Sequence, residues 1–302
     1  MRVLVTGATG FIGSHLCRTL ADAGHAVYAV SRNAGDARAR LPMLAGAFAW
    51  EPSAGPPPAE ALKGMDAVVN LAGESLQGRW NAEKKRRIRD SRILGTRHLV
   101  EGLAAAANKP AVLVSASASG FYGDRGDEVL SEESANGTGF LADVCGEWER
   151  EANNAAALGV RVVNLRSGLV LGRDGGAVKA LLLPFRLGLG GPLGNGKQWW
   201  PWVHIQDEVG GIMHALTSRV DGPMNAVAPQ PVMQGEFAKA LGRAVDRPAL
   251  FPAPSFVLRA VLGEVATELL YSRRALPKRL QAAGYAFRFP EVGAALRDLA
   301  AR

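Results

Sequence analysis

Three glycines, Gly7, Gly10 and Gly13, stand in the opening stretch RVLVTGATGFIGSHL, between a short apolar run and a segment of helical periodicity. One chemical use accounts for all three. Gly7 lets the chain reverse tightly, Gly10 lets a pyrophosphate approach the backbone, and Gly13 lets the next helix press against the strand. The unbonded N–H groups at the start of that helix would face the phosphates, and the helix dipole adds favourable charge. The spacing is GxxGxxG, so the strand before it and the helix after it carry as much of the argument as the glycines.

A dinucleotide site of this type is tuned at the end of the second strand. An acidic residue there binds the ribose 2′-hydroxyl and repels a 2′-phosphate. The segment AVYAVSRN offers Ser31 and Arg32 instead, and a guanidinium pairs with phosphate. NADP(H) is therefore favoured over NAD(H), the plain alternative being a solvated arginine in a loop.

Other residue types could do chemistry and have bland alternatives. Tyr122 lines a pocket or is a core aromatic with a bonded hydroxyl. Cys145 is a nucleophile or a small buried hydrophobe. His204, in WVHIQD, is a polar contact to substrate or a structural hydrogen bond. Trp199, Trp200 and Trp202 form an aromatic wall or cover a joint between lobes, and Arg166 is satisfied by a carboxylate at a strand end. In WNAEKKRRIRDSR the cations cannot all share one helix face, so a solvated surface is expected, with Arg79 and Lys84 the weakly favoured members of a phosphate-binding rim. No DNA-reading motif accompanies them, and no nucleic-acid partner is expected.

The elements that must hold these residues follow the pattern of successive βαβ units. Strands are expected at Arg2–Thr6, Ala26–Val30, Ala47–Trp50, Asp66–Leu71, Ala111–Ala116 and Val160–Leu165, with short ones at Trp202–Ile205 and Pro223–Val227. Helices are expected at Gly13–Ala23, Asn81–Ala107, Leu141–Leu158, Phe256–Leu270 and Leu276–Ala283. The fold class is α/β, a Rossmann-type doubly wound parallel sheet with a smaller C-terminal substrate lobe. Residues 1–172 form the dinucleotide-binding domain, to which the strands around 202–227 return, and 173–302 supply the rest.

The chain has 302 residues, 48% hydrophobic and 21% charged, which excludes a wholly disordered protein. The net charge of +7 suits phosphorylated ligands. With only two cysteines, Cys17 and Cys145, neither a disulfide framework nor a metal site is indicated. The start, Met1–Arg2 followed by Val3–Val5, is too short for a signal-peptide core, and no apolar run is long enough to span a membrane. A cytoplasmic protein without a membrane partner, monomer or homodimer, is expected.

VTGATGFIGS, DAVVNLAG (Asp66–Gly73), SASASGFYG (Ser115–Gly123), LRSGLVLG (Leu165–Gly172) and WVHIQDEVGGIMHAL (Trp202–Leu216) together resemble the extended branch of the short-chain dehydrogenase/reductase superfamily. NLAGESLQGRW, PFRLGLGGPLGNGKQWWPWVHI and SRRALPKRLQAAGYAFRFP resemble, more narrowly, its atypical epimerase-family proteins with a C-terminal domain of unknown function, sometimes labelled nucleoside-diphosphate-sugar epimerases or SulA-type proteins. The resemblance implies a cofactor laid across the strand ends. Gly7, Thr9, Gly10 and Gly13 would form the turn, Phe11 and Ile12 would donate to the pyrophosphate, and Ser31 and Arg32 would hold the adenosine end. Leu71, Ala72 and Gly73 would lie along the cofactor, with Ser115 and the turn Gly168, Leu169 and Val170 toward the nicotinamide.

The superfamily's enzymes use a Tyr with a Lys four residues later and a Ser. Here the residue four after Tyr28, Tyr122, Tyr271 and Tyr285 is Arg32, Gly126, Ala275 and Phe289, so no such pair exists. Phe140 stands near the Tyr position, with Asp143 or Val144 near the Lys position. Ser117, Tyr122 and Asp143 remain as candidate catalytic groups, and Arg186, Trp200 and His204 with Tyr122 as the substrate pocket. The expected function is an NADP-binding oxidoreductase or epimerase-like protein acting on a small polar substrate, nucleotide-linked compounds being one class, by a mechanism without the usual Tyr-Lys pair. The alternative is a non-catalytic NADP-binding or redox-sensing protein.

Overall fold

The computed structural model describes residues 1–301. Seven strands form one parallel sheet: β1 Arg2–Thr6, β2 Ala26–Ser31, β3 Gly46–Ala49, β4 Ala67–Asn70, β5 Val112–Ala118, β6 Arg161–Ser167 and β7 Gly222–Ala226. Their order is β7-β6-β5-β4-β1-β2-β3. The chain thus winds outward in both directions from β1 and β4, and the crevice beyond their carboxyl ends is where an open α/β sheet binds ligands.

Strand residues alternate between two buried faces, as parallel strands covered on both sides must. Val3, Val5, Val69 and Val114 pack with Leu16, Cys17 and Leu20 of α1 (Phe11–Asp22) and with Ile212 and Leu216. Leu4, Val68 and Leu113 face the other way, onto a layer that includes Leu99 and Leu103. Besides α1, the helices in this part of the chain are α2 Ala34–Arg40, α3 Ala59–Leu62, α4 Ala82–Ala105 and α5 Phe140–Asn153. Beyond β6, α6 Gly176–Arg186 leads away, α7 Ile205–Thr217 returns against the sheet, and β7 completes its edge. The remaining helices are α8 Gln234–Ala244, α9 Ser255–Leu262, α10 Val265–Leu270, α11 Lys278–Ala282 and α12 Val292–Ala300. Phe237, Leu241, Leu296 and Leu299 gather there with Trp200 and Trp202 into a separate core.

Several expected boundaries shift for identifiable reasons. α1 starts at Phe11 because extended Gly10 caps it. The expected helix Leu141–Leu158 is α5, ending at Asn153 and tightening into a 3₁₀ turn to Leu158. The expected helix Phe256–Leu270 is two, divided at Gly263, whose φ of 65° a helix cannot continue through. The strand expected at Trp202–Ile205 spans Trp202–His204 and pairs with Leu169–Leu171 outside the main sheet, because His204 already caps α7. Among the described residues, no helix is long and apolar enough to cross a membrane.

Candidate functional site

The turn after β1 is built so that only glycine fits. Gly7 has φ 65°, and a Cβ there would lie 2.7 Å from the Leu71 carbonyl oxygen. A Cβ on Gly13 would lie 2.2 Å from the Gly7 oxygen, so helix and turn touch backbone to backbone. Gly10 gives its own N–H to Gly7 O and supplies no side-chain cap. The N–H groups of Phe11, Ile12 and Gly13 are the first of the helix and have no partner within it.

Beside this turn a cavity of about 530 Å³ is lined by Gly7, Thr9, Gly10, Ser31, Arg32, Leu71, Ala72 and Gly73, together with Trp50, Glu51, Glu74 and Arg87. The sequence placed the first eight there. Its floor is held by a buried polar chain: Thr6 Oγ1 donates to Asn70 Oδ1 at 2.7 Å and accepts from the N–H groups of Leu71 and Ala72, fixing the strand-end backbone. Asn70 in turn donates to Thr96 and to Ser115, which is fully buried. Ser115 therefore supports the groove from below rather than lining it.

Other neighbours of the turn and groove were not anticipated, Arg40, Arg18, Glu74 and Arg92 among them. Arg40 Nη2 donates to Thr9 O at 3.0 Å, and with Arg18 it lines a second recess of about 280 Å³ on the other side of Gly10 and Phe11. The signal was present in NAGDARAR: Asn33 caps α2 by accepting from Asp36 N–H, and α2 carries Arg40 back to the turn. Glu74 is held below the usual carboxylate range, first by the bond from Lys84 at 2.6 Å and then by Arg87 and Arg32. Arg92 Nη1 donates to Glu74 O and its guanidinium packs against Gly73, where burial lowers its pKa. Lys84 is thus a neighbour of the rim, whereas Arg79 points away, donating to Ala260 O.

Phe11, beyond its backbone donor, packs its ring against Gly172, Gly175 and Gly176, which brings the segment after Gly168, Leu169 and Val170 over the start of α1. Gly168 itself has no room for a Cβ, which would meet Pro201 O at 2.7 Å.

The candidate catalytic residues occupy a different environment. Ser117 Oγ donates to Glu149 Oε1 at 2.6 Å, and Glu149 is clasped by Arg166 through two bonds of 2.8 Å each. Arg166 Nη1 also donates to the Tyr122 hydroxyl, which donates to Asn225 Oδ1 at 2.7 Å. Tyr122 is 0% exposed, and burial pushes its pKa up. Ser117 and Tyr122 are therefore members of an internal network in which each hydroxyl has a hydrogen-bond partner, and the Arg166 guanidinium lies beside the Tyr122 hydroxyl. Asp143 is exposed on the first turn of α5 and takes no part in that network. Cys145 is buried and its thiol pKa is pushed up to about 11 by burial, the state of a small hydrophobe.

The residues of the expected substrate wall have the following surroundings. Trp200 is buried against Phe237, with its indole N–H donating to Leu269 O. His204 accepts from Gln206 N–H at Nδ1, packs on Phe289 and lies 3.3 Å from the Asp298 carboxylate; burial lowers its pKa. Arg186 is exposed at the end of α6, and its carbonyl oxygen accepts from Arg247. Tyr122, Trp200 and His204 are thus each engaged by neighbours within the fold, whereas the Arg186 side chain is exposed. Among the described residues there is no group of His, Cys, Asp and Glu that could hold a metal ion.

The sheet order, the glycine turn and the groove across β1 and β4 define a Rossmann-type dinucleotide-binding protein of the short-chain dehydrogenase/reductase kind. Residues 3–227 match the NAD dependent epimerase/dehydratase family, and the chain belongs to it. Residues 253–299 match a domain of unknown function, DUF1731. The chain is 42% identical over 308 residues to the epimerase family protein SDR39U1 of Bos taurus, covering all of both, and 36% identical over 303 residues to the epimerase family protein YfhF of Bacillus subtilis, covering 100% of this chain and 98% of that one. A crystal structure of human SDR39U1 with NADPH superimposes with a TM-score of 0.88 at 39% identity, 99% of each chain being covered. A nucleoside-diphosphate sugar epimerase from Corynebacterium glutamicum has a TM-score of 0.78 at 33% identity, covering 98% of this chain and 57% of the other.

Proposed function

We propose that this chain binds NADP(H) in the groove beyond β1 and β4 and serves as an oxidoreductase or epimerase-like enzyme for a small polar substrate, nucleotide-linked sugars being one such class. The observation that carries the reading is the cavity between the glycine turn and Ser31–Arg32, which is lined by Gly7, Thr9 and Gly10, immediately before the unbonded first N–H groups of α1, and by a guanidinium with no carboxylate at the tip of β2. The human relative's NADPH is consistent with it.

In this reading Phe11, Ile12 and Gly13 hold the pyrophosphate through their N–H groups, while Arg32 binds a 2′-phosphate and Arg40 braces the turn through Thr9. Leu71–Gly73, fixed by Thr6, carry the ribose toward the nicotinamide end, and Arg92 keeps Gly73 and Glu74 in place. When bound, the dinucleotide supplies hydride chemistry.

Calorimetric titration with NADP⁺ and NAD⁺ tests the assignment. NADP⁺ is expected to bind more tightly, and Arg32→Ala to weaken it roughly 10- to 100-fold, the worth of one charge-assisted contact, with NAD⁺ nearly unaffected. Equal affinities for the two cofactors in the unaltered protein would sink the reading.

A second reading, a non-catalytic NADP-binding or redox-sensing protein, is favoured by one observation: Ser117 and Tyr122 spend their hydroxyls on Glu149 and Asn225. NADPH oxidation followed at 340 nm over a panel of carbonyl compounds separates the two, since sustained turnover discards the second.

A further inference from the structure

The face formed by the end of α6, the segment after α8 and helix α9 carries large apolar side chains that the protein leaves uncovered. Phe256 is 73% exposed, Leu250 70%, and Leu183 and Leu187 65% each; Val261 and Phe251 stand beside them at 62% and 57%. Isolated exposed apolar residues need no explanation, but a contiguous set does. Two backbone bonds and one from a side chain bring the two segments together: Phe251 N–H donates to Gly190 O, Ala253 N–H to Pro192 O, and the Arg247 side-chain Nε to Arg186 O, so they run side by side into α9. Within α9 only Leu258 is buried, Leu262 is half-buried, and Phe256, Val257, Ala260 and Val261 are exposed.

The same face is basic. Arg186, Arg243, Arg247 and Arg259 are exposed, and among the described residues none of them forms an ion pair. The acids in the region are Asp246 and Glu264, and Glu264 is already paired with Lys85 at 2.7 Å. Exposed aromatic and aliphatic side chains interleaved with unpaired arginines form the pattern that lies in the interface of an anionic bilayer: the apolar groups enter the acyl boundary while the guanidinium groups meet lipid phosphates.

We propose that this α6–α9 face docks the protein on an anionic lipid surface. A second copy of the chain fits less well. In a two-fold contact the same arginines would meet one another, with the acid of Asp246 as the local counter-charge. The face also connects to the groove: Arg79 Nη1 donates to the α9 carbonyl of Ala260, and Lys85 pairs with Glu264 just beyond α9, tying it to the chain that follows the groove residues Gly73 and Glu74. Docking would bring the groove's flank to the membrane without any segment crossing it.

Vesicle sedimentation tests this, using the full chain with phosphatidylcholine vesicles and with vesicles containing phosphatidylglycerol. Binding to the anionic vesicles is expected to exceed binding to the neutral ones about 10-fold and to fall with added salt. The double variant Phe256→Asp with Val261→Asp should lose about 10-fold in binding, and Arg247→Gln with Arg259→Gln should abolish the preference for anionic lipid. Unfolding midpoints close to that of the unaltered protein show that the variants fold, as these exposed positions permit. Failure to sediment with anionic vesicles overturns the proposal, as does binding that the aspartates leave unchanged. A dimer in light scattering that the aspartate variant dissolves overturns it in favour of a contact between copies.

Discussion

The glycine turn and the Ser117–Tyr122–Arg166 cluster both sit at the carboxyl ends of sheet strands, and both contain residue types that do chemistry. They differ in where their hydrogen bonds go. At the turn, the first N–H groups of α1 have no partner within the helix and side chains are excluded by contacts as short as 2.2 Å, so backbone donors and open space remain for a ligand. In the cluster, the candidate groups are used by others, Ser117 by Glu149, Glu149 by Arg166 and Tyr122 by Asn225, and only the adjoining Glu132 keeps an unpartnered oxygen among the described residues of this network. Buried polar groups that satisfy one another help to specify a core, whereas unpaired backbone donors beside a cavity are open to a ligand.

The largest expected effect breaks the cluster. Arg166→Met removes the one cation that, among the described residues, is bonded to the buried Glu149 carboxylate, and stranding one member of a buried pair costs about 3–5 kcal/mol. Urea unfolding should show that loss, while Arg32→Ala, at an exposed position, should leave the midpoint nearly unchanged. Comparable destabilisation by the two would erase the distinction drawn between the regions.

A second effect concerns Glu208, whose carboxyl is fully buried and pushed up to about 7 by burial, with Ser167 its one donor among the described residues. Because the folded value lies above the unfolded one, the unfolded chain releases this proton first. Stability is therefore highest below about pH 4.5 for this group and falls as pH rises toward 7, by about 3 kcal/mol in all. Glu208→Gln should remove that dependence, raising the thermal midpoint at pH 8 relative to the unaltered protein and changing it little near pH 5. A gain that is the same at both pH values would show that ionisation is not the cause.

The smallest effect sharpens the comparison at one atom. Tyr122→Phe leaves Asn225 Oδ1 without its donor and should cost about 1–2 kcal/mol in stability. NADP⁺ affinity should not move, because Tyr122 is absent from the cavity lining. A changed affinity with unchanged stability would return Tyr122 to the site.

What could be read from the chain alone was local. The strand–glycine–helix opening, Ser31–Arg32 at the end of β2 and Leu71–Gly73 after β4 were legible because each is a short segment whose backbone path follows from residue type, and the parallel sheet follows from repeated strand and helix periods. Arg40 and Arg92 were not legible as neighbours of the groove, since their approach depends on the angle at which α2 and α4 lie on the sheet. Nor was the fate of Ser117, Tyr122, Trp200 and His204. Glu149, Asn225, Leu269 and Phe289, the groups that occupy them, are separated from them by 32, 103, 69 and 85 positions along the chain. Whether a polar side chain is free to act or already spent is decided by such partners, and these meet only when the tertiary structure closes.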